Sequence, residues 1–198
     1  MKKMIQMLQT NITGKLVFIL FVLTMGIYAT MLIATIPAVQ AHAPGLPLFD
    51  MSPAGYSFEY AATLLEALGA DGRSIYLSQQ LPLDFIYPGL FAISYTCLLI
   101  WLFRKGFAAD SPVFYFAFVP FLAGLFDYIE NIGIILMLRS YPNLTTFTVS
   151  LTSFTTILKS GCTLVFYLLL LVGIIAIARQ KIMNRAQTNL LRHQKEAH

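Results

Sequence analysis

Four long apolar runs decide most of what this chain can become. They cover about 15–37, 84–103, 112–138 and 147–178. Each is long enough to supply the roughly 20 residues a helix needs to cross a hydrocarbon core about 30 Å thick. Inside lipid every backbone N–H and C=O needs a partner within the protein, which restricts spanning segments to helices and closed barrels. Runs of this length without period-two alternation answer that demand as helices. The expected fold is an all-α membrane protein, a four-transmembrane-helix bundle forming one integral domain over 1–198. Short amphipathic helices are expected in the outer loop between spans 1 and 2 (38–83), and a basic cytoplasmic tail at 179–198. Composition agrees: 58% of residues are hydrophobic and 11% charged, where soluble domains carry about 25% charged. Too little polar surface remains to cover a globule in water.

Charge sets the expected orientation. Lys2, Lys3 and Lys15 precede the first run, Arg104 and Lys105 follow the second, and Arg179, Lys181, Arg185, Arg192 and Lys195 follow the fourth. The segment between the first two runs holds Asp50, Glu59, Glu66 and Asp71 against a single Arg73. Basic flanks stay in the cytoplasm, so both termini are expected inside a bacterial inner (cell) membrane, with Arg139 alone against the trend. A competing reading takes the first run as a cleaved secretory signal, with Ala41-His42-Ala43 as an A-x-A site. The run from Leu16 to Ile36 exceeds the usual 7–15-residue signal core, which favours an uncleaved helix ending at Pro37. The basic tail reads as an anchor to anionic lipid. Membrane lipid is the expected partner, a homo-oligomer or larger membrane complex is compatible, and nucleic acid is not expected.

In the outer segment Pro44-Gly45, Pro47, Ser52-Pro53 and Gly55 mark turns. A Ser57 cap, a Gly69 stop, the Asp71-Gly72 turn and Pro82 then delimit two short helices, about 57–68 and 73–81. Such helices lie flat at an interface or cap an opening between the spans.

Cys97 and Cys162 fall inside apolar runs without a CxxC pair, which argues against thiol–disulfide exchange and a Cys-ligated metal. His42, His193 and His198 all lie outside the runs, so a zinc hydrolase lacks imidazoles at membrane depth. No metal and no cofactor is expected. The alcohol phosphatidyltransferase signature, the Arg-Pro…His phosphatase pattern and an internal repeat are all missing.

The informative residues are the polar ones within the runs. Asp127, Glu130 and Asn131 share one face of the third run, and Lys159 sits at similar depth in the fourth, across a short loop. Unpaired in lipid, the three charges would together cost roughly 8–10 kcal/mol, so they must face protein or water. Two acids against one lysine leave a surplus carboxylate, to be protonated, matched by a mobile cation, or reached by the outer cations Arg73 or Arg139. Thr148, Thr152, Thr155 and Thr163 extend the Lys159 face. Asp84 and Tyr87 head the second run, where Asp84 is equally an ordinary first-turn acid. Thr24, Tyr28, Met31 and Thr35 form a stripe on the first. The pocket expected from these stripes is polar, lies toward the outer leaflet, and is bordered by Asp84, Tyr87, Asp127, Glu130, Asn131, Thr155 and Lys159. The alternative is that these groups pair only to fix helix register. Binding or transport of a small amphiphile, lipid or cation ranks first among functions. A non-catalytic subunit or assembly factor of a membrane complex comes next, then a lipid- or isoprenoid-modifying enzyme using an acid pair.

Overall fold

The structure, a computed structural model, describes residues 2–196. His198, and the side chains of Lys2, Arg192, His193 and Lys195, lie outside the described residues. All regular structure among the described residues is helical. Four helical stretches are long and apolar enough to cross a membrane: Gly14–Gln40, Phe58–Gly106, Val113–Ser140 and Thr146–Arg185.

The chain starts with a helix that the sequence reading did not foresee, α1 (Lys2–Asn11). Its Ile5 is buried with Ile12 against the end of α5 (Leu81–Gly106), a three-and-four-residue stripe through Leu8. Arg104 Nη1 donates to the Gln9 carbonyl at 2.6 Å, and Gln9 Nε2 to the Ala109 carbonyl at 3.1 Å. Thr13 then caps α2 (Gly14–Thr30), accepting from the Leu16 N–H at 3.2 Å.

Two prolines shape the end of the bundle away from α1 in the same way. Before Pro37, residues Met31–Thr35 widen into a π turn, in which Ile36 N–H reaches back five residues to Met31 before α3 (Ile36–Gln40) begins. Before Pro82, residues Tyr76–Gln80 do likewise, and Leu81 N–H bonds the Tyr76 carbonyl. Proline lacks the N–H and its ring presses on the carbonyl four residues back. One wide turn relieves that pressure without ending the helix. The expectations of a first span stopping at Pro37 and a separate helix closed by Pro82 are thus corrected: the chain stays helical through both prolines. The two π turns lie side by side, and Thr35 Oγ1 donates to Gln80 Oε1.

Ser57 caps α4 (Phe58–Ile75), accepting from the Tyr60 N–H at 3.1 Å. Ala61, Leu64, Leu65 and Leu68 form its buried stripe. At Gly69 the backbone leaves helical geometry, so Phe58–Ile75 is two helical segments joined by a kink at the glycine expected as a stop; its φ of 61° is a left-handed value that glycine adopts without a Cβ penalty. Arg73 Nη1 donates to the Leu65 carbonyl at 2.7 Å, and its guanidinium lies 4.5 Å above the Tyr141 ring. The helix then continues through the π turn into α5.

Helix α5 is the hub on which α2, α7 (Val119–Ser140) and α8 (Thr146–Glu196) all pack. The third run is not one smooth helix. A single α-turn, α6 (Val113–Phe116), is followed by a tight link in which Ala117 and Phe118 N–H reach back three residues, and Pro120 sits in the first turn of α7. Close helix approach comes from small residues, as membrane packing requires. A Cβ on Gly124 would stand 2.8 Å from the Pro88 carbonyl, and one on Gly133 would run into Thr152. Across α2 and α5, Thr24 and Ser94 share a 2.6 Å hydrogen bond. The core divides into an aromatic cluster around Phe91, Tyr95, Phe103, Phe114 and Phe166 toward the α1 end and a second cluster at the opposite end. The second joins Val39, Leu48, Phe49, Leu64, Leu65 and Tyr76 to the ends of α7 and α8.

Candidate functional site

Proline again positions the polar residues. Pro88 inside α5 leaves the Asp84 carbonyl without its helical donor. Asn131 of α7 supplies the missing bond, its Nδ2 donating to the Asp84 carbonyl at 2.7 Å. Asn131 therefore holds the turn that carries Asp84. It is wholly buried and lies off the cavity wall, contrary to the pocket role expected for it.

On α7 and α8, Lys159 sits between the two acids. Its Nζ is 3.3 Å from Asp127 Oδ1 and pairs more tightly with Glu130 Oε2. Thr156 Oγ1 donates to Glu130 Oε1 at 2.7 Å, so both Glu130 oxygens are engaged. Glu130 is fully enclosed between the helices and does not reach the cavity. The threonine that meets it is Thr156, and the expected Thr155 instead donates to the Thr152 carbonyl at 2.8 Å, away from the cavity. One residue is a 100° turn of the helix, which is why a period count placed the neighbour there. Neither outer cation reaches a carboxylate: Arg73 is bound to Leu65 and Tyr141, and Arg139 is exposed. Among the described residues the ion pairs are the two made by Lys159.

A cavity of about 580 Å³ opens beside this cluster, bounded by α2, α5, α7 and α8. Asp84, Asp127 and Lys159 stand at its polar end, joined by Asp50 from the outer segment. Tyr28, Tyr87, Phe91, Tyr95, Phe166 and Tyr167 form its aromatic middle, and Phe21, Leu98 and Leu170 its apolar end. From Asp84 to Leu98 the wall runs about 21 Å along α5 at 1.5 Å per residue. Phe21 and Tyr28 on α2, Leu32 in the π turn after it and Tyr167 on α8 border it while remaining exposed, so the mouth faces sideways from the bundle. Asp84 is 3% exposed, lines the cavity, and its Oδ2 has no hydrogen-bond partner.

The outer segment closes the polar end. A 3₁₀ turn, Phe49–Met51, brings Asp50 and Met51 to the cavity, and Tyr76 Oη donates to Asp50 Oδ1 at 3.0 Å. Gly55 fits so closely against α8 that a Cβ would stand 2.6 Å from Ser153 Oγ, while the Tyr56 N–H donates to that hydroxyl at 2.8 Å. Burial, and after it the Glu130 charge, holds the Tyr56 hydroxyl above the ordinary tyrosine range. Sequence reasoning missed Asp50, counting it only as an outer charge. Its one signal is an acid set among turn-forming prolines and glycines.

Of the expected pocket residues, the structure brings Asp84, Tyr87, Asp127 and Lys159 to one cavity. It places Glu130, Asn131 and Thr155 behind the wall, and Arg73 and Arg139 away from it. No protein-family model, curated protein or solved structure matches this chain.

Proposed function

We propose that this chain is a multi-pass membrane protein with both ends in the cytoplasm, and that its sideways-opening cleft binds or transports a small amphiphile taken from the surrounding bilayer. The observation that carries the reading is the cavity itself. Charges gather at one end, apolar side chains line the other, and the mouth lies where lipid would cover the helices. At about 580 Å³ it falls within the range of ordinary ligand pockets, about 300–1,000 Å³. A wall about 21 Å long exceeds a single hydrocarbon leaflet of about 15 Å, so a chain-bearing molecule can lie along α5 with its head at Asp84. The orientation is supported by the gathering of Lys15, Arg104, Lys105 and Arg179 at the end opposite the Asp50 turn.

Lipid-extract mass spectrometry of the gently purified chain tests the binding reading. A defined amphiphile at near-stoichiometric amounts is expected, and it should be lost from Ala123→Phe, which fills the cavity wall. Bulk lipid alone in both samples would sink the reading. Topology is tested separately: reporters after Lys105 and at the C-terminus should read cytoplasmic, and one near Pro53 external.

A further inference from the structure

We propose that the cleft selects lipophilic cations, with an ammonium-type head held by Asp84 and the ring faces of Tyr28 and Tyr87. The proposal rests on the reading that the cleft holds an amphiphile, and it names the class.

The charge distribution carries it first. Among the described residues Lys159 is the only Lys or Arg on the cavity wall, and it is held by Asp127 and Glu130. Its ammonium is thereby neutralised from within the protein. Asp50 and Asp84 then remain on the wall with no cationic partner, and Asp50 receives only the neutral Tyr76 hydroxyl. An anionic head entering here would meet carboxylates and no free cation. The second, independent observation is Asp84 itself: its side chain is buried, lines the cavity, and its Oδ2 meets no protein donor. A buried carboxylate must be paired or protonated, and a cationic head in the cavity would supply the pairing.

The third observation is the aromatic lining that begins at Tyr87, one helical turn along α5 from Asp84. Tyr28 and Tyr87 stack at 5.5 Å with their planes 25° apart, and Phe91 follows Tyr87 at 5.8 Å. Tyr95 meets Phe166 at 4.7 Å further along. Aromatic faces attract organic cations, most strongly where water is excluded, and carboxylate-plus-aromatic settings suit alkylated ammonium groups. A bare metal ion would leave most of the 580 Å³ empty; a quaternary or tertiary ammonium on an apolar body fills both ends.

The test uses the full chain purified in a neutral maltoside detergent, titrated with dodecyltrimethylammonium, dodecanol and dodecanoate, with calorimetry and thermal unfolding as readouts. The ammonium probe should bind about tenfold more tightly than dodecanol, a difference of about 1.4 kcal/mol, and dodecanoate more weakly than either. Asp84→Asn should abolish the preference for the ammonium probe while leaving dodecanol binding in place. Tyr87→Leu should shrink the preference severalfold, and it gives a second route should Asp84→Asn fail to fold. Equal or tighter binding of dodecanol or dodecanoate by the parent overturns the proposal. A preference that survives both substitutions overturns it as well. Failure of all three probes to bind would instead overturn the amphiphile reading itself.

Discussion

Two regions of this bundle bury carboxylates within two helical turns of each other, and they treat them oppositely. Between α7 and α8, Glu130 is sealed in with Lys159 on one oxygen and Thr156 on the other. Across α5, Asp84 is also buried, yet its side chain lines a cavity and its Oδ2 has no protein donor. Asp127 stands between the two, paired with Lys159 at 3.3 Å and still bordering the cavity. Depth in the bundle does not separate structural acids from binding ones. What separates them is whether a cation of the protein stands against the carboxylate. An ion-paired acid fixes helix register, whereas an acid without a protein cation on an aromatic-lined cavity wall is open to a partner that is not protein.

The largest effect should come from breaking the sealed region. Lys159→Met leaves Glu130 buried without its cation, and a loss of about 3–5 kcal/mol is expected in denaturant unfolding of the micelle-bound chain. Adding Glu130→Gln should recover most of it. If Asp127→Asn rescues and Glu130→Gln does not, the assignment of the two acids is reversed. Next, Thr156→Val removes a hydrogen bond to a charged oxygen and should destabilise by about 1.5–3 kcal/mol, read from the same curves. Asn131→Leu spans the two regions. It strips the donor from the Asp84 carbonyl, with an expected loss of about 1–3 kcal/mol, and should also weaken ligand retention because the Asp84 turn is no longer held. Retained ligand with full occupancy would show that Asn131 does not position the cleft. The smallest effect belongs to Asp84→Asn. It removes a desolvated charge without removing any protein hydrogen bond of that side chain, so the unfolding midpoint should hold or rise. A clear fall would place Asp84 among the structural acids.

The polar stripes were legible before any coordinates because helical period is local. Thr24, Tyr28, Met31 and Thr35 on one run, and Tyr87, Phe91 and Ser94 on another, recur every three or four residues. The structure uses each of them between helices: Thr24 with Ser94, Thr35 with Gln80, and Tyr28, Met31, Tyr87 and Phe91 at the cavity. The helix of Lys2–Asn11 leaves a weaker signal, three apolar residues (Ile5, Leu8 and Ile12) in a short polar segment, whose burial depends on the end of α5 lying alongside. The π turns were not legible. A proline says that a hydrogen bond is missing, while the way it is repaired depends on what lies alongside. Pro37 and Pro82 are repaired by widening a turn, Pro88 by a borrowed Asn131 donor, and Pro120 by starting a new helix.

The sequence by itself determined the helical class, the four stretches able to cross a membrane, and the depth at which Asp127, Glu130 and Lys159 sit. All three follow from apolar length and the near-constant rise of a helix. Only the tertiary structure decided that Glu130 is closed off, that Asn131 serves the backbone, and that Asp50 comes in from the outer segment. It also decided that Asp84 lines a cavity with no protein donor on its Oδ2. Those outcomes depend on which faces meet across 26 to 47 residues of intervening chain, and on whether the atoms brought there complete one another's hydrogen bonds. No local pattern encodes that.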